Sequence, residues 1–199
     1  MYVRDAKNRD EAWLLDWIEE AEIEDPAFRS RDYVIALNEE TSRKAGFGRI
    51  RNHSGDSGTF CELTVLFTLP MWRNQGVGAH VIERLVAEAA DEQYETVYVF
   101  TTEPGYFTMF GFQPQESGQL DPHVTDRFET VRESRESDNN RFVALSINTG
   151  ELTVPQRLRD RFKRAHPSDE PPEGEVVIEE TAEDFGIDPT ETTYKYDTG

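Results

Sequence analysis

The sequence predicts a mixed α/β fold, one domain with a central sheet and helices against it, and three observations carry that expectation. β-rich runs recur at 33–37, 45–51, 60–68, 96–101 and 142–148. After the third run, Val77, Val81, Ile82, Leu85, Val86 and Ala89 recur at three- and four-residue spacing with Glu83, Arg84 and Glu88 opposite them, the pattern of an amphipathic helix. The 199 residues suffice for one buried core with a terminal appendage to spare.

Each element follows from its own local signals. Tyr2 to Arg4 reads as a short first strand, and Asn8 as the cap of a helix with apolar residues at Leu14, Leu15, Ile18 and Ala21. Pro26 breaks that helix. Tyr33 to Leu37 is apolar throughout, as a buried strand would be, and Asn38 to Ser42 turns the chain into the alternating run Ala45 to Arg51, so a hairpin is expected. His53 to Gly58 reads as loop. Phe60 to Thr68 is apolar or β-branched except for Glu62, Thr96 to Thr101 is a further strand, and Pro104 to Phe110 a short helix ended by Gly111. The polar stretch from Gln113 to Asn140 is expected to be loop, with one helical turn near Val124 to Phe128. Phe142 to Asn148 closes the sheet, and Pro155 opens a helix to Ala165. From Pro167 to Gly199 the chain is rich in Glu, Asp, Pro and Thr, the composition of a mobile or partner-ordered tail.

Charge narrows the function classes. Forty acidic residues against 21 basic ones give a formal charge of -19, which repels nucleic-acid phosphates and anionic membrane surfaces. The acids are spread along the chain and the cations are mostly Arg, which suits a cytosol at very high salt, where screening relieves the self-repulsion; an ordinary acidic protein is the alternative. Cys61 is the single cysteine, so an internal disulfide and a cysteine-based zinc site are excluded, and no metal is expected. The N-terminus lacks the apolar run of a signal peptide, and no stretch of about 18 apolar residues occurs, so a soluble cytoplasmic protein is expected.

The chemistry concentrates where the strand 60–68 turns into the helix, at Arg73-Asn74-Gln75-Gly76-Val77-Gly78-Ala79. Glycine lets backbone approach a ligand closely, and a helix start presents free N–H groups and the positive end of the dipole, so successive amides here suit a pyrophosphate. A tight turn with no ligand is the alternative reading. A P-loop is excluded because no Gly-Lys-Ser/Thr follows, and the dinucleotide fingerprint because Val81 stands where its third glycine belongs.

Arg73-x-x-Gly76-x-Gly78 resembles the Arg/Gln-x-x-Gly-x-Gly/Ala signature of the GNAT superfamily of N-acetyltransferases. The preceding strand with Pro70, the helix after it, the run Thr96 to Thr101 and Tyr106-Phe107-x-x-Phe110-Gly111-Phe112 resemble the remaining core motifs in order and spacing, over roughly residues 1–148. The resemblance implies a mostly antiparallel mixed sheet splayed between its fourth and fifth strands. It further implies that acetyl-CoA is the cosubstrate and an amine the acceptor. The amides of Arg73, Asn74, Gln75, Gly76, Val77, Gly78 and Ala79 would bind the pyrophosphate, Leu66, Phe67 and Thr68 would pair with the pantetheine arm, and Phe107 and Phe110 would border the cofactor. A strand amide would stabilise the oxyanion formed on the thioester carbonyl.

An amine with a pKa near 10.4 is protonated at neutral pH, so a base or a relaying water is needed. Glu62 is the candidate: it stands 14 residues before Gly76, where histone-acetylating members carry their catalytic glutamate, and it is the only charged residue of its strand. A glutamate on a solvent-facing edge of the strand, or one in a structural ion pair, is the alternative. Many members protonate the departing thiolate with a Tyr four residues before the Gly-Phe pair; here that position is Phe107, as in amino-acid N-acetyltransferases. Tyr106 is the candidate acid, although one residue's shift turns a helical side chain by about 100°. The alternative is an aromatic of the core or pocket, with water protonating the thiolate. His80 reads as a packing or capping residue, and His53 and His123 as loop residues without partners. Trp13 and Trp17 are expected to pack the first helix. Arg157, Arg159, Arg161, Lys163 and Arg164 read as a solvated basic helix face; the alternative is that the acidic tail folds back onto this helix, covering the site or mediating a homodimer contact.

Overall fold

The computed structural model describes residues 1–55, 58–116, 118, 120–134 and 142–168. From residue 169 on, the acidic tail lies outside the described residues. The chain begins with β1 (Tyr2–Asp5), a 3₁₀ turn at Asn8–Asp10 and α1 (Glu11–Glu20). There follow β2 (Tyr33–Leu37), β3 (Lys44–Gly55), β4 (Gly58–Thr68), a 3₁₀ turn at Pro70–Trp72 and α2 (Val77–Asp91). The second half carries β5 (Thr96–Thr101), α3 (Pro104–Thr108), β6 (Gln113–Pro114), α4 (Pro122–Ser134), β7 (Val143–Asn148) and α5 (Gln156–Arg164). Seven strands form one sheet in the order β1-β2-β3-β4-β5-β7-β6, antiparallel except for β4 beside β5.

Alternation along the strands gives the sheet two apolar faces. On one face Cys61 and Leu63 of β4 join Val97 and Val99 of β5 under Val81, Ile82, Leu85 and Val86 of α2, with Phe107, Phe110, Phe112 and Phe162 in the same core. On the other face α1 sets Leu14 and Ile18 against Tyr33, Ile35, Phe47 and Val65. Further along that face α4 sets Val124, Phe128 and Val131 against Phe60, Phe100 and Ala144. Trp13 and Trp17 pack as expected, against Phe47 and Phe67 at 5.7 and 6.0 Å between ring centroids.

Three expectations are corrected. The 113–140 stretch is not loop with one turn: thirteen of its residues form α4, because Val124, Phe128 and Val131 make an apolar stripe at i, i+4 and i+7 that the surrounding charge obscures. β3 runs on to Gly55, paired with β4 as far as Gly55↔Gly58, so His53 is a strand residue. Asn8 does not cap α1; the buried carboxylate of Asp10 accepts the Lys7 N–H at 2.9 Å and is gripped by Arg4 and Lys44 at 2.8 and 2.9 Å. Burial pushes the Asp10 carboxyl up, but those bonds outweigh it and hold it below its ordinary value.

The connection from α1 to β2 is fastened by a buried charge cluster. Arg49, 4% exposed, pairs with Asp25 and, at 2.9 Å, with Asp32, and Tyr33 Oη donates to Asp25 at 2.5 Å. Removing Arg49 leaves the Asp25 carboxylate, its side chain 6% exposed, buried without its counter-charge. Arg49→Met is therefore expected to lower unfolding stability by about 3 kcal/mol, measured by denaturant titration at neutral pH.

Candidate functional site

β4 meets β5 over three residue pairs only, Cys61↔Val97, Glu62↔Tyr98 and Leu63↔Val99. Register with β3 slips at the same place: Ile50 pairs with Leu63 and Arg49 with Val65, so Thr64 is the extra residue of a bulge. Past that bulge the edge of β4 toward β5 carries no ladder, from Thr64 to Thr68. Leu66, Phe67 and Thr68 lie half-buried along this opening wedge, where the backbone groups that point away from β3 have no ladder partner and can bond an extended ligand.

The wedge ends at the glycine turn. Asn74 and Gly76 take left-handed conformations, φ 60° and 76°, on either side of Gln75, the kind of alternation from which an anion nest is built. The amides of Asn74, Gln75, Gly76, Val77, Gly78 and Ala79 donate to no protein acceptor among the described residues; the next, His80 N–H, donates to Gly76 O at 3.3 Å. Residues 76–79 are buried. A buried unpaired donor is costly, so a run of them at a helix start fits a polyanion such as a pyrophosphate. The Arg73 N–H donates to Pro70 O at 3.3 Å, which corrects the expectation that its amide joins the others, and its side chain is exposed beside the nest.

Tyr106 reaches this point from α3. A Cβ on Gly78 would stand 2.4 Å from Tyr106 Oη and 3.4 Å from Thr68 Oγ1, so hydroxyl, helix start and strand end converge. The ring packs edge-on against Phe107 and Phe110, and burial raises the hydroxyl above its ordinary pKa. Phe107 turns away into the core against Phe112, and Phe110 is wholly buried; these two back Tyr106. The shift of one residue that separates Tyr106 from the usual tyrosine position thus brings its hydroxyl to the nest.

Glu62 lies on the sheet face opposite α2, 3% exposed, just before the wedge opens. Arg127 of α4 donates to it through Nε at 2.9 Å and through a second guanidinium nitrogen at 3.3 Å. His53 Nε2 stands 2.6 Å from Glu62 Oε2 on the other side. Burial would raise the Glu62 carboxyl, but His53 and Arg127 together hold it below its ordinary value. His53 also stacks on Phe60 at 4.6 Å, and His123 packs edge-on against the same ring, which corrects the reading of both histidines as partnerless loop residues. Arg127 is the residue that sequence reasoning missed; the stripe Val124, Phe128, Val131 is the signal that would have placed it on a helix. Cys61, pushed up to about 12 mainly by burial, is an inert core thiol.

The comparisons bear on family and fold. A family model described as the acetyltransferase (GNAT) family matches residues 3–112, from β1 through α3. No protein of curated function matches in sequence. Among solved structures, Rv2747 from Mycobacterium tuberculosis, in complex with CoA and NLQ, is 17% identical with a TM-score of 0.61 over 74% of this chain and 99% of that one. N-acetylglutamate synthase from Neisseria gonorrhoeae, complexed with CoA and N-acetyl-glutamate, is 18% identical with a TM-score of 0.54 over 74% of this chain but 34% of the synthase. Ribosomal-protein-alanine N-acetyltransferase from Brucella melitensis is 13% identical with a TM-score of 0.53 over 74% of this chain and 99% of that enzyme. At these identities the likeness is one of fold.

Proposed function

The chain belongs to the acetyltransferase (GNAT) family, and from that premise we propose that it transfers an acetyl group from acetyl-CoA to the amine of a small molecule or amino acid by direct attack in a ternary complex. The observation that carries the proposal is the run of six unpartnered amides, Asn74 to Ala79, at the end of the wedge where β4 leaves β5. Those amides would hold the pyrophosphate, the unpaired edge of Leu66, Phe67 and Thr68 would hold the pantetheine arm, and Phe107 and Phe110 would support Tyr106 behind it. Acetyl-CoA supplies an activated acetyl thioester when bound.

Glu62 takes the base role in this reading. It faces the side of the sheet lined by α1 and α4 and is ionised throughout the neutral range, ready to accept the acceptor's proton directly or through water. Arg51 is its Cα partner on β3, a cation of the same strand pair that would suit an acceptor with a carboxylate next to its amine. Tyr106 would protonate the departing thiolate in this reading, but its raised pKa makes it a weak acid and water can do the same work for a thiol near 8.5. Tyr106→Phe is therefore expected to lower kcat only about tenfold, read by free-thiol release under saturating donor.

A second reading is favoured by one observation. Glu62 bound on two sides by Arg127 and His53 is also the arrangement of a structural ion pair, and a chain built that way would bind acyl-CoA without turning it over. A thiol-release screen at high salt over amino acids, polyamines, aminoglycosides and peptides separates the readings. Turnover with an amino acid or small amine supports the transferase, turnover with peptides alone moves the acceptor class to proteins, and CoA binding with no turnover across the panel supports the binding module. We place the chemistry in a reducing cytoplasm, because the only cysteine is buried and unpaired.

A further inference from the structure

The segment after β7 lies beyond the residues that the family model matches, yet it packs on the loop the proposed function depends on. Leu158 and Phe162, one turn apart on α5, face the start of α2. A Cβ on Gly76 would stand 2.3 Å from Leu158 O, so the helix backbone rests directly against the nest. His80 stacks on Phe162 with centroids 3.9 Å apart and planes at 9°, while its Nδ1 donates to Gly76 O at 2.9 Å. Arg159 meets Glu83 of α2 at 2.6 Å. Beyond the helix, Gln75 brackets the backbone of His166: Oε1 accepts its N–H at 2.9 Å and Nε2 donates to its carbonyl at 2.8 Å. Ser168 N–H and Oγ then donate to Met71 O at 2.9 and 3.2 Å.

The loop needs such support. Left-handed backbone at Asn74, a residue with a Cβ, persists only where its surroundings hold it. Four of the five contacts just described reach residues 71, 75, 76 and 80, on both sides of Asn74, and the fifth pins α2 one turn on.

We propose that residues 155–168 form a clamp that sets the conformation of the phosphate loop, so that affinity for the phosphate-bearing half of CoA depends on α5. The inference rests on the proposed role of that loop in binding CoA. The clamp residues are positioning residues: they shape the nest and touch no reacting atom.

The test uses the full chain and measures CoA affinity by calorimetry, beside thiol release from acetyl-CoA and from acetylpantetheine, which lacks the nucleotide. Phe162→Ala is expected to weaken CoA binding about tenfold while turnover of acetylpantetheine changes less than about twofold. Arg159→Glu, a surface change that leaves the core intact, is expected to weaken CoA binding by about threefold, and the swap Glu83→Arg with Arg159→Glu to restore it. Unchanged CoA affinity in Phe162→Ala and Arg159→Glu, or an equal loss with both donors, overturns the clamp. A wild type that binds no CoA overturns the parent reading, and the clamp with it.

Discussion

Glu62→Gln should bind CoA as tightly as the wild type and lose at least about a hundredfold in kcat with its best amine acceptor. Glutamine keeps the shape and accepts one hydrogen bond from Arg127, so the β4–α4 contact survives, but the proton acceptor is gone. The pH dependence sharpens the expectation. The carboxyl is held below its ordinary value, so Glu62 stays ionised well into the acid range and the rise of kcat/KM with pH near neutrality should follow the acceptor's own amine rather than the enzyme. The same shift has a stability sign: a lowered folded pKa stabilises the fold above the ordinary carboxylate range of about 4.3 and loses that contribution as pH falls through the folded value. Glu62→Gln should consequently lose less stability than the wild type between neutral and acid pH. Calorimetry for CoA, thiol release for kcat and denaturant titration at two pH values measure the three quantities. A variant with undiminished kcat would leave Glu62 a structural node and hand deprotonation to water.

What the sequence made legible is what the chain specifies locally. The helix α2 and the glycine turn before it are written in adjacent residues, spacing and backbone freedom alike, and they stand where the pattern put them. The antiparallel sheet with its splay came from the resemblance, and the bulge at Thr64 is the physical cause that periodicity alone did not reveal. The partners of Glu62 were out of reach for a different reason. His53 comes to it through the register of β3 on β4, and Arg127 through a helix 65 residues away whose apolar stripe is three residues among many charges. The facing of Tyr106 likewise depends on how α3 is rotated against Phe112 and the core. A one-residue offset that looks wrong in a motif becomes a hydroxyl beside Gly78 once that rotation is set.

Gly76→Ala is the substitution expected to do most harm to cofactor binding. Gly76 sits at φ 76°, where any Cβ is strained, and the added methyl would stand 2.3 Å from the backbone carbonyl of Leu158, which cannot rotate away as a side chain could. Either the loop abandons its left-handed turn or α5 lifts off α2, and both outcomes turn the amides of residues 74–79 out of the nest. CoA affinity should fall by about a hundredfold or more, with about 2 kcal/mol lost from unfolding stability. Gly105→Ala in α3 is the matched control, since open space surrounds the added methyl, and it should leave CoA affinity unchanged and, as an alanine replacing a helical glycine, raise unfolding stability by up to about 1 kcal/mol. Gly78→Ala falls between them: its methyl meets the end of the Tyr106 side chain at 2.4 Å, and a ring can yield where a backbone cannot. The expected order of CoA affinity, Gly105→Ala above Gly78→Ala above Gly76→Ala, follows from whether the neighbour of each new methyl is absent, movable or fixed. Equal affinities for Gly76→Ala and Gly105→Ala would mean that the nest is not where the phosphates bind.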